Sequence, residues 1–97
     1  TMSNFPEIKK EDGRLYIEDE NNNMLAEITY SSGNKAVIAD STFVDMKLRG
    51  HGIAEKLLDA LVEEIENQNK KIHPLCSYVV KMFDLKPEKY AHIDARK

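Results

Sequence analysis

Residues 35–66 constrain the fold more than any other part of the chain. The first ten, Lys35–Val44, are mostly β-branched or small and largely uncharged, which is typical of a central strand covered on both faces of a sheet. Gly50 and Gly52 follow, and from Ile53 onward apolar residues recur at steps of one, three and four. That spacing predicts an amphipathic helix of about four turns. A long strand, a glycine-containing turn and a helix therefore follow one another.

Two shorter strands are predicted before this unit. Residues 14–18 and 24–30 alternate polar and apolar side chains, which is the period of half-buried strands. Asp19–Asn23 lies between them and consists of residues that favour turns. In the long strand that follows, a bulge is expected near Asp40. The chain therefore begins as an antiparallel meander.

One more strand and one more helix are predicted after the long helix. Asn67–Asn69 ends that helix, and residues 71–76 are short enough for a strand with Pro74 near its end. A second helix is expected over residues 78–83. Because a strand, helix and strand in sequence favour a crossover, the last strand should run parallel to the long one. We expect an α/β (α+β) fold over residues 1–97 as a single domain: a mostly antiparallel sheet with one parallel β-α-β crossover and two helices.

Composition and charge exclude several classes of protein. The single Cys76 cannot form an internal disulfide, so we expect a reducing compartment, most simply the cytoplasm. The first residues, Thr1–Phe5, have neither a basic start nor an apolar run, and no window approaches the ~20 apolar residues of a membrane span. A net charge of −3 disfavours nucleic-acid binding. His73 and His92 lack the spacing of a metal site or a triad, so no metal is predicted.

The glycine-containing turn is suited to binding an anion. Gly50 and Gly52 let backbone N–H groups approach a ligand, and the helix adds its unpaired N–H groups and the positive end of its dipole. A pyrophosphate fits this arrangement, although such a turn also serves as an ordinary connection. The spacing is neither the GxGxxG of a dinucleotide fold nor the GK[ST] ending of a P-loop, so those two mechanisms lack their residues.

The residues Arg49-Gly50-His51-Gly52-Ile53-Ala54 match the Q/R-x-x-G-x-G/A signature of GNAT acetyltransferases. The similarity extends over roughly residues 14–90 and resembles most the compact GNAT-like family of short N-acetyltransferase domains. In that family a strand, this signature, a helix and a Pro-x-Cys segment follow one another, and Pro74-Leu75-Cys76 fills the last place. The resemblance implies acetyl-coenzyme A as cosubstrate and an amine as acceptor. The identity of the amine and the oligomeric state stay open.

The resemblance also implies roles for individual residues. Backbone amides from Arg49 to Ala54 would hold the pyrophosphate, with His51 making at most an anion contact, and Phe43–Asp45 would offer backbone to the pantetheine arm. The long strand and the strand beginning at Lys71 would splay apart to admit the thioester. The implied coenzyme-binding residues are Phe43, Val44, Asp45, Arg49, Gly50, His51, Gly52, Ile53 and Ala54, and the implied catalytic residues are Cys76, Tyr78 and Thr42.

Alternatives remain at the reaction centre. Cys76 is a candidate acyl-accepting nucleophile or a small buried hydrophobic residue. Tyr78 is a candidate proton donor to the coenzyme A thiolate or a core residue. Ser41 stands where small proteins of this type often carry a His, and helices and strands that commonly shape the acceptor pocket are missing. The alternatives to an enzyme are therefore a non-catalytic acyl-coenzyme A binding or protein-interaction module, and a structural protein with a fortuitous glycine turn.

Overall fold

The computed structural model describes residues 6–97, which form a five-stranded sheet with helices. In sheet order the strands are β1 (Lys9–Glu11), β2 (Arg14–Glu18), β3 (Met24–Ser32), β4 (Ala36–Val44) and β5 (Lys71–Pro74). The α-helices are α1 (Ile53–Asn67), α2 (Ser77–Leu85) and α3 (Pro87–Tyr90), and a 3-10 helix spans Met46–Leu48. The expectation about a targeting signal concerns Thr1–Phe5, which lies outside the described residues. In the described part no helix is long and apolar enough to cross a membrane.

The sheet is mixed, and its pairing confirms the predicted fold class. Strands β1 to β4 pair antiparallel in sequence order, and β4 pairs parallel with β5 after the crossover through α1. The bulge expected in β4 is also present. Thr29 pairs with Ser41 while its neighbour Tyr30 pairs with Ala39, so Asp40 is the extra residue.

One face of the sheet is covered and the other is open. Ile28, Val37 and Ile72 belong to one buried cluster that also includes the apolar faces of α1 and α2. Side chains alternate along a strand, so the intervening residues point to the opposite face. There Ser41 is exposed and Phe43 keeps 43% of its surface accessible. The expectation that both faces of Lys35–Val44 are covered is therefore wrong, because the helices that pack on β4 share one core.

Three short elements were not expected. β1 is exposed along its whole length and has no alternation to detect. The 3-10 helix of Met46–Leu48 is three residues long and buries none of them. α3 begins at Pro87, a residue that suits the first turn of a helix, and no helix was expected after residue 83. Residues 6–97 therefore contain three α-helices instead of the expected two.

Strands β4 and β5 separate before β4 ends. Their pairing stops at Ala39 and Pro74, after which the N–H groups of Leu75 and Cys76 both donate to the Ala39 carbonyl oxygen, over 3.1 and 2.9 Å. Beyond this point β4 continues to Val44 with no strand on that side within the described chain. An opening between the two strands results.

Candidate functional site

The loop between β4 and α1 contains two glycines in left-handed conformation. Gly50 has a φ of 85° and Gly52 a φ of 73°, values that residues with a side chain rarely adopt. A Cβ built at either glycine would meet no atom within 4 Å. The backbone conformation therefore favours glycine at both positions, and there is open space in front of the loop for a ligand.

Six consecutive backbone N–H groups, those of residues 50–55, have no acceptor within the described chain. Further along, the N–H of Lys56 donates to the carbonyl oxygen of Gly52 over 3.1 Å. Gly52 is the N-cap of α1 and provides no side-chain oxygen to satisfy the free groups. Unsatisfied N–H groups at the positive end of a 15-residue helix form an arrangement that binds phosphate.

A pocket of about 190 Å³ adjoins this loop. Its walls come from the end of β4, the loop, the first turn of α1 and the start of α2. The lining residues are Val44, Leu48, Arg49, Gly50, Gly52, Ile53, Ala54, Glu55 and Tyr78. Arg49 Nε donates to the carbonyl oxygen of Val44 over 3.3 Å, which holds the guanidinium at the pocket wall. The pocket therefore combines a cation, a phenol and the start of a helix.

The carboxylate of Glu55 also lines this pocket, where alone it would repel a phosphate. Glu55 Oε2 accepts hydrogen bonds from Lys86 Nζ at 2.9 Å and Lys89 Nζ at 2.7 Å. The hydrogen bonds from Lys89 and Lys86 lower the pKa of Glu55. Lys89 Nζ also donates to Asp59 over 2.9 Å. The cations counted here are Lys86, Lys89 and Arg49, and the carboxylates are Glu55 and Asp59. The net charge of these five side chains around the pocket is therefore positive.

Tyr78, in the first turn of α2, places its ring at the pocket. Its hydroxyl has no hydrogen-bond partner among residues 6–97. Burial raises the pKa of Tyr78, and the negative charges of Glu55 and Asp59 raise it further. The hydroxyl therefore stays protonated at neutral pH and is free to donate to a ligand, as a general acid must.

Thr42 and Cys76 meet at the opening between β4 and β5. Thr42 Oγ1 lies 3.5 Å from Cys76 Sγ, and either atom can donate. Cys76 is partly buried and is the N-cap of α2, with no capping bond from its side chain. Neither residue lines the pocket of Tyr78, but Val44, two residues beyond Thr42 along β4, does. The pair therefore lies beside the pocket, at a point two residues earlier along β4.

The open edge of β4 offers backbone groups of particular residues. The N–H of Asp45 donates to Leu25 over 2.7 Å, toward β3. Backbone groups of successive strand residues point to opposite sides, so those of Val44 and Thr42 point into the opening. The family resemblance implied that the segment Phe43–Asp45, which includes Val44, offers backbone to the pantetheine arm. The structure directs Val44 and Thr42 to the opening instead of Phe43 and Asp45.

Three residues of the expected coenzyme site have side chains elsewhere. Phe43 points to the open face of the sheet, and Asp45 Oδ1 accepts the N–H of Lys47 over 2.9 Å as the cap of the 3-10 helix. His51 is exposed and does not line the pocket. Among residues 6–97 no group of three or more His, Cys, Asp or Glu side chains could hold a metal ion.

Sequence reasoning did not single out Leu48, Glu55, Lys86 or Lys89 as site residues. Leu48 is the last residue of the 3-10 helix, which was not predicted, so its place at the pocket could not be foreseen. An acidic residue in the first turn of a helix, such as Glu55, is common because it interacts favourably with the helix dipole, so it gave no functional signal. Its lysine partners are 31 and 34 residues away in sequence. The excess of lysine near the C-terminus was the available signal for these pairs.

Comparisons with known proteins agree on one family. A family model described as GCN5-related N-acetyltransferase matches residues 14–93. The solution structure of a GCN5-like protein of Staphylococcus aureus, assigned as an N-acetyltransferase, is 38% identical to this chain with a TM-score of 0.77. That similarity covers 94% of this chain and 89% of the other.

A second solved structure is similar in fold alone. It is an acetyltransferase from Vibrio fischeri that is 18% identical with a TM-score of 0.52, and the similarity covers 65% of this chain and 59% of the other. The comparison with curated proteins gave no match.

Proposed function

Since this chain belongs to the GCN5-related N-acetyltransferase family and is an acetyltransferase, we propose that it transfers the acetyl group of acetyl-coenzyme A to an amine. The loop from Arg49 to Ala54 holds the pyrophosphate, and the pantetheine arm passes along the open edge of β4. The thioester then reaches the opening near Thr42 and Cys76.

The observation that carries this proposal is the run of six unsatisfied N–H groups in residues 50–55. The first N–H groups of a helix have no acceptor within the helix, and here those of the exposed loop residues before it are unpaired as well, so six in succession beside a pocket suit a ligand with several acceptor oxygens. A pyrophosphate has that chemistry. The guanidinium of Arg49 supports the proposal, because it adds a positive charge to the same pocket.

Two routes to product are compatible with this site. In the direct route the amine nitrogen attacks the thioester carbonyl carbon, the C–S bond breaks, and Tyr78 donates its proton to the leaving coenzyme A sulfur. The proton lost by the nitrogen returns to Tyr78 through solvent. In the covalent route Cys76 Sγ attacks first, coenzyme A leaves as the thiol, and the amine then takes the acetyl group from Cys76.

Release of coenzyme A thiol from acetyl-coenzyme A, measured with and without a panel of primary amines, tests the proposed reaction. We expect amine-dependent release together with an acetylated amine by mass spectrometry. Binding of acetyl-coenzyme A without release on any amine would contradict acetyl transfer to amines.

The variant Cys76→Ser separates the two routes. Acetyl-Cys76 trapped during turnover, with a loss of about 100-fold or more in the variant, supports the covalent route. No acetyl-Cys76, with activity retained in Cys76→Ser, supports the direct route. Thr42→Val is the companion variant, because it removes the hydroxyl within reach of Cys76 Sγ and should slow the covalent route alone.

The proposal extends to the setting of the protein. We assign it to the cytoplasm, because acetyl-coenzyme A occurs there and because a free thiol such as that of Cys76 suits a reducing compartment. Its partners are acetyl-coenzyme A and the amine acceptor, without nucleic acid, in keeping with a net charge of −3. We also propose that residues 1–97 act as one domain, supported by the single hydrophobic cluster shared by the sheet, α1 and α2.

A further inference from the structure

A recess of about 560 Å³ lies on the open face of the sheet, where β4 and β5 begin. Its lining residues are Gly33, Asn34, Lys35, Ala36, Ile38, Lys71, His73 and Ala95. Lys71 and His73 point to this face because Ile72 between them is buried on the other. We call this site the basic recess. It is separate from the pocket of Arg49 and Tyr78, with which it shares no lining residue.

The charge of the basic recess is unbalanced. Lys35 and Lys71 have no carboxylate partner within residues 6–97, and no acidic residue lines the recess. Many other basic side chains of the protein are in ion pairs, including Lys9, Lys10, Arg14, Lys86, Lys89 and Arg96. Ile38 and the alanines contribute apolar surface beside these charges. An anionic group at the end of an apolar chain fits this combination.

The basic recess and the opening between the strands lie along the same line between β4 and β5, which we call the seam. Along β4 the seam runs from Ile38 to Thr42, and along β5 and the residues after it from His73 to Cys76. Measured from Ile38 and His73, the end of the basic recess nearest the opening, these three to four residues span about 10–13 Å. The long side chains of Lys35 and Lys71, which line the same recess, can extend toward an anion bound at this near end. Leu75, which is 64% exposed, lies on this path. The seam therefore leads from a cationic recess past an apolar side chain to the proposed position of the thioester.

The acceptor must use the side that the coenzyme leaves free. The pocket of Arg49 and Tyr78 lies on the helix side of the sheet, so a coenzyme bound there leaves the open face for the acceptor. Asp40, the bulge residue at the beginning of the opening, adds a negative charge toward the end where an amine would react. The opposite end of the seam is positive.

Resting on the proposed function, we propose that the acceptor is an amine with a carboxylate about 10–13 Å from its nitrogen, joined by an apolar spacer. The basic recess binds the carboxylate, Leu75 and Ile38 contact the spacer, and the amine reaches the thioester from the open face. The basic recess is thus the specificity site for the acceptor, and Lys35 and Lys71 are its anion-binding residues.

Matched acceptors test this inference. 8-Aminooctanoate has an extended length of about 10 Å, 8-aminooctanamide is its neutral counterpart, and 4-aminobutanoate is too short to span the seam. We expect KM for 8-aminooctanoate to be about ten-fold lower than for the other two, and 0.5 M salt to remove most of the difference. In the double variant Lys35→Gln/Lys71→Gln, KM for 8-aminooctanoate should rise to that of the amide. The amide's own KM and kcat should stay unchanged.

Lys81→Gln is the control, because Lys81 is an exposed lysine of α2 outside both sites and should leave every KM unchanged. Equal KM values for 8-aminooctanoate and its amide in the wild-type protein would overturn the inference. So would an equal effect of the double variant on both acceptors.

A binding measurement keeps this test separate from that of the acetyltransferase reaction. Octanoate is titrated into the labelled protein without coenzyme and followed by NMR. Shifts confined to Ala36, Ile38, Lys71, His73 and Ala95, and absent in Lys35→Gln/Lys71→Gln, would support the basic recess even if no acceptor were acetylated. No shifts at these residues at millimolar octanoate would overturn it, whether or not acetyl-coenzyme A binds.

Discussion

Tyr78, the proposed proton donor, lies at the pocket without a hydrogen bond to another side chain of the described residues. Its hydroxyl has no hydrogen-bond partner in the described chain, whereas Tyr90, the other tyrosine in this region, donates to Asp59 over 2.7 Å. Both residues have a raised pKa, chiefly from burial. Tyr90 is therefore structural, whereas the protonated hydroxyl of Tyr78 has no partner and lies beside the pocket.

Replacing Tyr78 by Phe tests its role as proton donor. Tyr78→Phe should lower kcat by about 100-fold, because the coenzyme A sulfur loses its acid, while KM for acetyl-coenzyme A changes little. Tyr16→Phe is the control, since Tyr16 lies on β2 and its hydroxyl bonds to Glu11. Steady-state kinetics of the wild-type protein, Tyr78→Phe and Tyr16→Phe measure the difference in kcat. A Tyr78→Phe enzyme with wild-type kcat would show that the acid is elsewhere.

At the scale of elements, the segment after α3 fastens the outer edge of β5. The N–H of Ile72 donates to Ile93, and the N–H of Ala95 donates back to Ile72, each over 2.8 Å. Asp94 between them is fully buried, and its carboxylate accepts from Arg96 Nε at 3.1 Å and Nη2 at 2.9 Å. Burial alone would raise the pKa of Asp94, but the hydrogen bonds and charge of Arg96 outweigh it and lower the pKa.

This edge should give the protein an acid-sensitive contribution to stability. A lowered pKa means that ionised Asp94 stabilises the fold above its ordinary value of 3.8, and that this contribution is lost as the pH falls through the lowered pKa. At pH 7, Asp94→Asn should reduce the free energy of unfolding by about 1–3 kcal/mol. Denaturant melts from pH 7 to pH 2 measure the difference, which should shrink at the acid end.

Asp84→Asn is the matched control for Asp94→Asn. Asp84 bonds to the same Arg96 over 2.8 Å, but its side chain is 59% exposed, so its removal should change the free energy of unfolding by less than about 0.5 kcal/mol. Equal losses in both variants would contradict the importance that we give to the buried carboxylate.

The sequence predicted the elements that have a clear hydrophobic period. β2, β3, β4, β5, α1 and α2 were all expected, because alternation or helical spacing shows directly in the residues. β1, the 3-10 helix and α3 have three or four residues each and too little pattern to detect. The uncovered face of β4 was missed because a run of apolar residues does not tell whether one or two layers cover it.

At the scale of the whole molecule, the two proposed sites lie on opposite faces of one sheet. The glycine loop could be located from sequence because its signature is continuous from Arg49 to Ala54. The ion pairs of Glu55 and the basic recess could not, because their residues come together only through the parallel pairing of β4 with β5 and the return of the C-terminal segment. Contacts between distant residues have no local sequence signal.

The central claim is that the loop containing Gly50 and Gly52 binds acetyl-coenzyme A. The decisive variant is Gly52→Asn, because asparagine tolerates the left-handed conformation, as Asn22 and Asn69 do in this chain with φ of 65° and 59°. Its side chain would enter the open space in front of the loop. The fold should therefore persist while the site is obstructed.

Calorimetric titration of acetyl-coenzyme A into the wild-type protein and into Gly52→Asn tests this claim most directly, with thermal melts to confirm that both are folded. We predict saturable binding at one site in the wild-type protein and a loss of about 100-fold or more in affinity in the variant, with similar melting temperatures. No heat and no thermal stabilisation of the wild-type protein at millimolar ligand, or unchanged affinity in Gly52→Asn, would contradict the account.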